Sequence, residues 1–219
     1  MSRQSAFLVF CLPWLCWATS CTTMYYSVWE TLGREKRDLL KSNVESARDE
    51  QKEVQEKFSD ALANIKRTYN VRGDKLESVY RQMKTDYEDA RDRSDDLSKR
   101  IKRIERLGKD LFDEWSREVE KISNQAYRRS SQEKLRATKQ RFSGLVASLH
   151  AAEKRIAPVL KKLEDQVLFV KHNLNAASMG VFKAEADAIE KDINGLQMEI
   201  TKSVMASESF VKSLDRDES

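Results

Sequence analysis

Cys21 is the residue whose type and setting point most directly to chemistry. It follows Ala18-Thr19-Ser20, an apolar run from Ala6 to Ala18 precedes it, and Arg3 is the only charge in residues 1–20. The 13 residues of that run are too few to cross a bilayer comfortably, but they suit the core of a signal peptide. Small residues followed by cysteine look like a lipobox, where a diacylglycerol is joined to the cysteine sulfur and the chain is cut in front of it. Ala18 stands where Leu is usual, and Arg3 alone stands where two or three cations are usual. The same letters fit a plain secretory cleavage with Ala18-x-Ser20, or an uncleaved anchor. Lipidation of Cys21 is the expectation, because Cys11 and Cys16 fall inside the segment to be removed and leave Cys21 with no disulfide partner.

Elsewhere the residues capable of chemistry are sparse and badly spaced for it. His150 and His172 are 22 residues apart, and no His-x-x-x-His or Cys-x-x-Cys occurs. Gly108-Lys109 is followed by Asp110 where a P-loop needs Ser or Thr, and Arg103 stands where its first glycine belongs. There is no nucleophile elbow. The expectation is therefore a protein that is not an enzyme, with no catalytic residues, no cofactor and no metal site. Leu111-Phe112-Asp113-Glu114-Trp115 sets two carboxylates beside two aromatics, which is the makings of an acid/base pair or a partner hook. The blander expectation is stronger: Leu111 and Trp115 lie on a buried seam and the acids face water. Lys171, His172, Asn173 and Asn175 form a polar corner that would suit a partner site, although helix capping by Asn explains it as well. Met24-Tyr25-Tyr26-Ser27-Val28-Trp29 is aromatic-rich, which suits either a lipid headgroup layer or packing beneath the first helix.

The elements that hold these residues follow from composition and period. The chain has 219 residues, 40 Lys and Arg against 36 Asp and Glu, six Gly and two Pro. Scarce Gly and Pro exclude sandwiches and propellers, and the near-balanced net charge of +4 does not suggest a nucleic-acid partner. From Leu76 to Trp115, steps of four and three land on 12 positions of which 10 are apolar, a period near 3.5 residues. Similar seams run from Leu40 to Ile65, from Leu135 to Leu163 and from Phe182 to Leu214. Asn70 to Asp74, with Gly73 as a C-terminal cap, marks the first turn, and Ser130-Ser131-Gln132-Glu133 offers an N-cap before the third seam, a helix continuous through 130 being the alternative. His172 to Gly180 marks the last turn, and Pro158 should kink or interrupt helix three near Ile156.

Helices are predicted over 27–69, 74–128, 131–173 and 178–214. The fold class is all-α: an elongated antiparallel bundle of about four long helices with coiled-coil seams. The expected organisation is a lipoprotein signal peptide at 1–20, a lipidated tether at 21–26, one helical domain at 27–214 and a frayed tail at 215–219. Seam spacing alone does not separate closure within one chain from closure by a second copy.

Several strings resemble a bacterial lipoprotein family known only as a domain of unknown function. They are Met24-Tyr25-Tyr26 through Gly33 with Lys36-Arg37-Asp38, Leu111 to Trp115, Leu135-Arg136-Ala137-Thr138 with Arg141, Ala152-Glu153 with Ile156 and Pro158-Val159-Leu160, and Asp165 to Phe169 through Asn175-Ala176. The resemblance spans nearly all of the chain after the leader. It implies a helical envelope lipoprotein of Gram-negative bacteria with no catalytic residues, and Thr22 after the cysteine looks more like outer-membrane sorting than inner-membrane retention. The expected role is a lipid-anchored, periplasm-facing spacer or adaptor. Its partners would be the membrane, through Cys21, and an unidentified envelope protein. The alternative is a membrane-remodelling helical protein of the phage-shock type, which would need a continuous basic face.

Overall fold

The computed structural model describes residues 21–68, 76–173 and 179–216, with side chains for 35–67, 77–173 and 182–216. Four helices make up this described part: α1 (Cys21–Thr68), α2 (Leu76–Glu120), α3 (Gln125–His172) and α4 (Met179–Arg216). They contain 48, 45, 48 and 38 residues, or about 57–72 Å each at 1.5 Å per residue.

Each helix packs on two neighbours, α1 and α3 both lying against α2 and α4, while the diagonal pairs scarcely meet. Side-chain pairs fix the antiparallel register. Along α1 and α2 they run Lys36–Glu114, Arg100–Glu50 at 2.7 Å and Lys57–Asp89 at 2.9 Å, one number rising as the other falls. Along α3 and α4 they run Phe142–Phe210 and then Lys162–Asp192. The first and last helices close the ring through Gln51 and Ser203 at 2.8 Å and through Lys41–Asp215.

The seams meet in the middle of this ring. All eight seam positions of α1 from Leu40 to Ile65 are buried, as are all ten of α4 from Phe182 to Leu214. On α2 and α3 the seam is buried except at Tyr80, Tyr87, Trp115 and Phe142, which are half-buried at its margins, and at Leu76, whose side chain lies outside those described. This apolar burial is the main stabilising contribution, since exposed ion pairs such as Lys161–Glu164 each contribute only tenths of a kcal/mol. Small polar residues within the seam satisfy themselves locally. Ser94, Thr138 and Ser207 donate to the carbonyls of Ala90, Lys134 and Ser203, four residues back, at 2.6, 2.9 and 3.0 Å. Gln51 instead donates across the core to Ser203, which holds α1 and α4 in register.

Three sequence expectations are corrected. Helix two ends at Glu120 and helix three begins at Gln125, so Ser130 and Ser131 lie inside α3. The cap is Asn124, whose Oδ1 accepts the backbone N–H groups of Ala126 and Tyr127 at 3.0 and 3.1 Å. Helix one already includes Cys21, ahead of the start expected near residue 27. Pro158 does not interrupt α3, which is helical through it; both the proline and Lys154, whose carbonyl loses its N–H partner, are exposed. The expected first turn at Asn70 to Asp74, with its cap at Gly73, falls outside the described residues.

Two glycines differ in their purpose. A Cβ at Gly108 would lie 2.2 Å from Cζ of Phe142, a ring held against Phe112 and Phe210 with centroids at 5.3 and 5.7 Å. A Cβ at Gly144 would meet nothing within 4 Å. Gly144→Ala is therefore expected to stabilise the bundle by about 0.5–1 kcal/mol through helix propensity. Gly108→Ala should cost about 1–3 kcal/mol through overpacking. Urea midpoints of the two variants, moving in opposite directions, check this.

Candidate functional site

The residues singled out from the sequence lie at the two ends of the bundle. Trp115 is near the C-terminal end of α2, at the end where α1 begins. Lys171, His172 and Asn173 close α3 at the other end, about 60 Å along that helix from Ser131, which is level with Trp115. The structure therefore does not bring them into one site.

At the far end, Asn173 acts as a C-cap. Its backbone N–H reaches the carbonyls of Phe169 and Val170 at 2.9 and 3.3 Å, and its side-chain Nδ2 donates to Phe169 at 3.0 Å. Lys171 and His172 are exposed cations or polar groups in the last turn, and Asn175 lies outside the described residues. Capping accounts for this corner.

The end that holds Trp115 is richer. The indole is half-buried, its Nε1 donates to Oγ of Ser131 on α3 at 3.4 Å, and the Arg37 guanidinium from α1 lies 5.6 Å from its centroid. Three helices thus converge on one side chain. The adjacent acid is not where the sequence suggested. Asp113 is exposed and pairs with Lys109 at 2.9 Å, but Glu114 is buried, 6% exposed, and pairs with Lys36. Glu114 lies three residues after Leu111 and one before Trp115, on the flank of the seam that faces α1. Glu118, one turn further along α2, has its carboxyl held above the usual range, first by burial and then by the neighbouring charge of Glu114. Two carboxylates close to one lysine make a tight electrostatic clasp between α1 and α2. The arrangement joins two helices.

A second clasp joins α2 to α3. The ring nitrogens of His150 lie 2.8 Å from Glu105 and 2.9 Å from Glu153. Bonding to Glu105, then to Glu153, raises the His150 pKa above its ordinary 6.5. A raised folded pKa means that this stabilisation is complete below 6.5 and is lost as pH rises through the folded value. The imidazole is 45% exposed, so screening holds its effect to about 0.2–1 kcal/mol. Thermal midpoints of the parent chain and His150→Gln should differ at pH 5.5 and converge by about pH 9.

Among the described residues no group of three His, Cys, Asp or Glu side chains is placed to hold a metal ion, and no helix is long and apolar enough to cross a membrane. Cys21 lies in α1, as the first of the described residues.

Fold and ends together define the class: a long, antiparallel, up-down-up-down four-helix bundle whose polar clasps tie neighbouring helices together. Residues 25–214 match the family described as a protein of unknown function, DUF2959, and the chain belongs to that family. No curated protein and no solved structure matches it.

Proposed function

We propose that this protein is a lipid-anchored, periplasm-facing spacer or adaptor of the Gram-negative cell envelope, without catalysis. One observation carries the reading: Cys21 lies in α1, and the helix runs from it without a break into the bundle. Acyl chains on that cysteine would hold one end of a stiff rod, and the rod would project the other end into the periplasm. Each buried methylene contributes about 0.8 kcal/mol, so two or three chains suffice to anchor a hydrophilic bundle. Thr22 favours sorting to the outer membrane. The charged outer faces and the clasps between helices suit a protein that keeps its shape while a partner binds along or beyond it.

Cys21→Ser is expected to leave the helical content unchanged and to move the protein from the membrane fraction to the soluble periplasm, or to leave an uncleaved precursor. Fractionation of native envelopes, with circular dichroism as the folding control, checks this. A cleaved Cys21→Ser protein that remains in the membrane fraction would count against the anchor.

A further inference from the structure

The charge of this chain is unevenly placed. Residues 121–141 contain seven Lys and Arg against a single acid, Glu133, so this short stretch is more positive than the whole chain at +4. It forms the turn between α2 and α3 and the first third of α3. Arg129 and Arg136 repeat at seven residues on the outward face, and Tyr127, Lys134 and Arg141 repeat likewise on one flank. Arg128 and Lys139 are on the flank towards α2, where their polar atoms meet neutral groups, the carbonyl of Ile122 at 2.7 Å and Oγ of Ser116 at 3.1 Å. Arg129, Lys134 and Arg136 are exposed and form no ion pair with a carboxylate among the described residues. Tyr127, at the very tip, is 70% exposed, more than any other large apolar or aromatic side chain described.

Position decides what such a tip would meet. The Lys36–Glu114 pair sets the level of α1 against α2. From there α2 has six residues left before Glu120, whereas α1 has 15 more back to Cys21. The start of α1 therefore lies about 14 Å beyond the basic turn along the bundle axis. The apolar run Ala6 to Ala18 precedes that start. Meanwhile α4 ends at Arg216, near the level of Arg136 by the Phe142–Phe210 register, so the described part of α4 does not reach the flank that carries Tyr127.

We infer that the α2–α3 tip is a docking surface for an anionic phospholipid bilayer, engaged when the rod tilts about its N-terminal end. Cations within about one Debye length, ~10 Å at 0.1 M salt, feel the negative surface, and an exposed tyrosine suits the headgroup layer. Binding to anionic lipid does not require acylation of Cys21; it depends on the anchor reading only for which membrane the tip meets. The consequence is orientation: a tilted, surface-docked rod instead of one swinging freely from its acyl chains.

The test uses the full chain carrying Cys21→Ser, so that loss of anchoring and loss of docking are read separately. Flotation with phosphatidylglycerol vesicles is compared with phosphatidylcholine vesicles, which report whatever the apolar leader contributes. The expected result is a preference for phosphatidylglycerol that falls steeply with salt. Each cation near the surface contributes a factor of about five, so Arg129→Glu with Arg136→Glu should weaken that preference by about 25-fold or more. Lys161→Glu with Lys102→Glu, the same charge change on exposed faces elsewhere, should leave it within about twofold. Equal binding to both vesicles, equal loss in both variant pairs, or tighter binding of a single-stranded oligonucleotide through Arg129 and Arg136 would overturn the inference. Circular dichroism confirms that each variant is folded, and Tyr127→Ala, a change at an exposed site, gives a second reading independent of charge reversal.

Discussion

Ile101→Asp is expected to unfold much of the bundle. Ile101 has no exposed surface and sits mid-way along the α2 seam, between Leu97 and Ile104, which are also fully buried. The change removes apolar burial and places a carboxylate where no cation reaches it. An unpaired buried charge costs several kcal/mol, and a domain of this kind has only about 5–15 kcal/mol in total. The far-ultraviolet helical signal should fall and the urea transition should broaden or vanish. Lys102→Asp, at the exposed neighbouring position, should shift the midpoint by no more than about 0.5 kcal/mol in stability. A parent-like midpoint for Ile101→Asp would mean that the seam is not the core.

Lys36→Met is the second large effect. Its ammonium is the partner of the buried Glu114, and Glu118 is close by on the same face of α2. Removing the cation leaves Glu114 buried with a like charge as its neighbour. Because Lys36 is itself 38% exposed, part of that penalty is screened, and a loss of about 1–3 kcal/mol is expected at pH 7. Glu114→Gln in the same chain should recover most of it. Glu118 gives the matching pH signature. Its folded pKa is raised, so its contribution is complete below the ordinary 4.5 and is lost as pH rises through the folded value. Glu118→Gln should therefore raise the melting temperature at pH 7 and lose that advantage below about pH 4. If Lys36→Met melted like the parent chain across this range, the clasp would be ornamental.

The seams were legible in the sequence because period is a property of one helix at a time. Every residue from Leu40 to Ile65 at steps of three and four is buried, including Gln51, which the pattern placed inside despite its polarity. Turns depend on weaker, local chemistry. The apolar period stops at Trp115 and resumes at Leu135, so nothing periodic locates the break between them. Ser130 offers a cap there. Asn124 takes the role, while Ser131 becomes the acceptor for the Trp115 indole, a contact between helices that a single-helix reading does not contain. Glu114 escaped for the same reason. Whether a residue on the flank of a seam faces water or a lysine depends on the next helix, and Lys36 is 78 residues away in sequence. The basic tip was present in the letters but hidden by averaging, since its excess is cancelled over the rest of a nearly neutral chain.

Attachment of the rod at Cys21 is read from the intact mass and N-terminal residue of the protein isolated from native envelopes. The expected result is a chain that begins at residue 21 and is heavier than its sequence by a diacylglycerol and, after N-acylation, a further acyl chain. A mature protein of unmodified mass, or one beginning at any other residue, would contradict it.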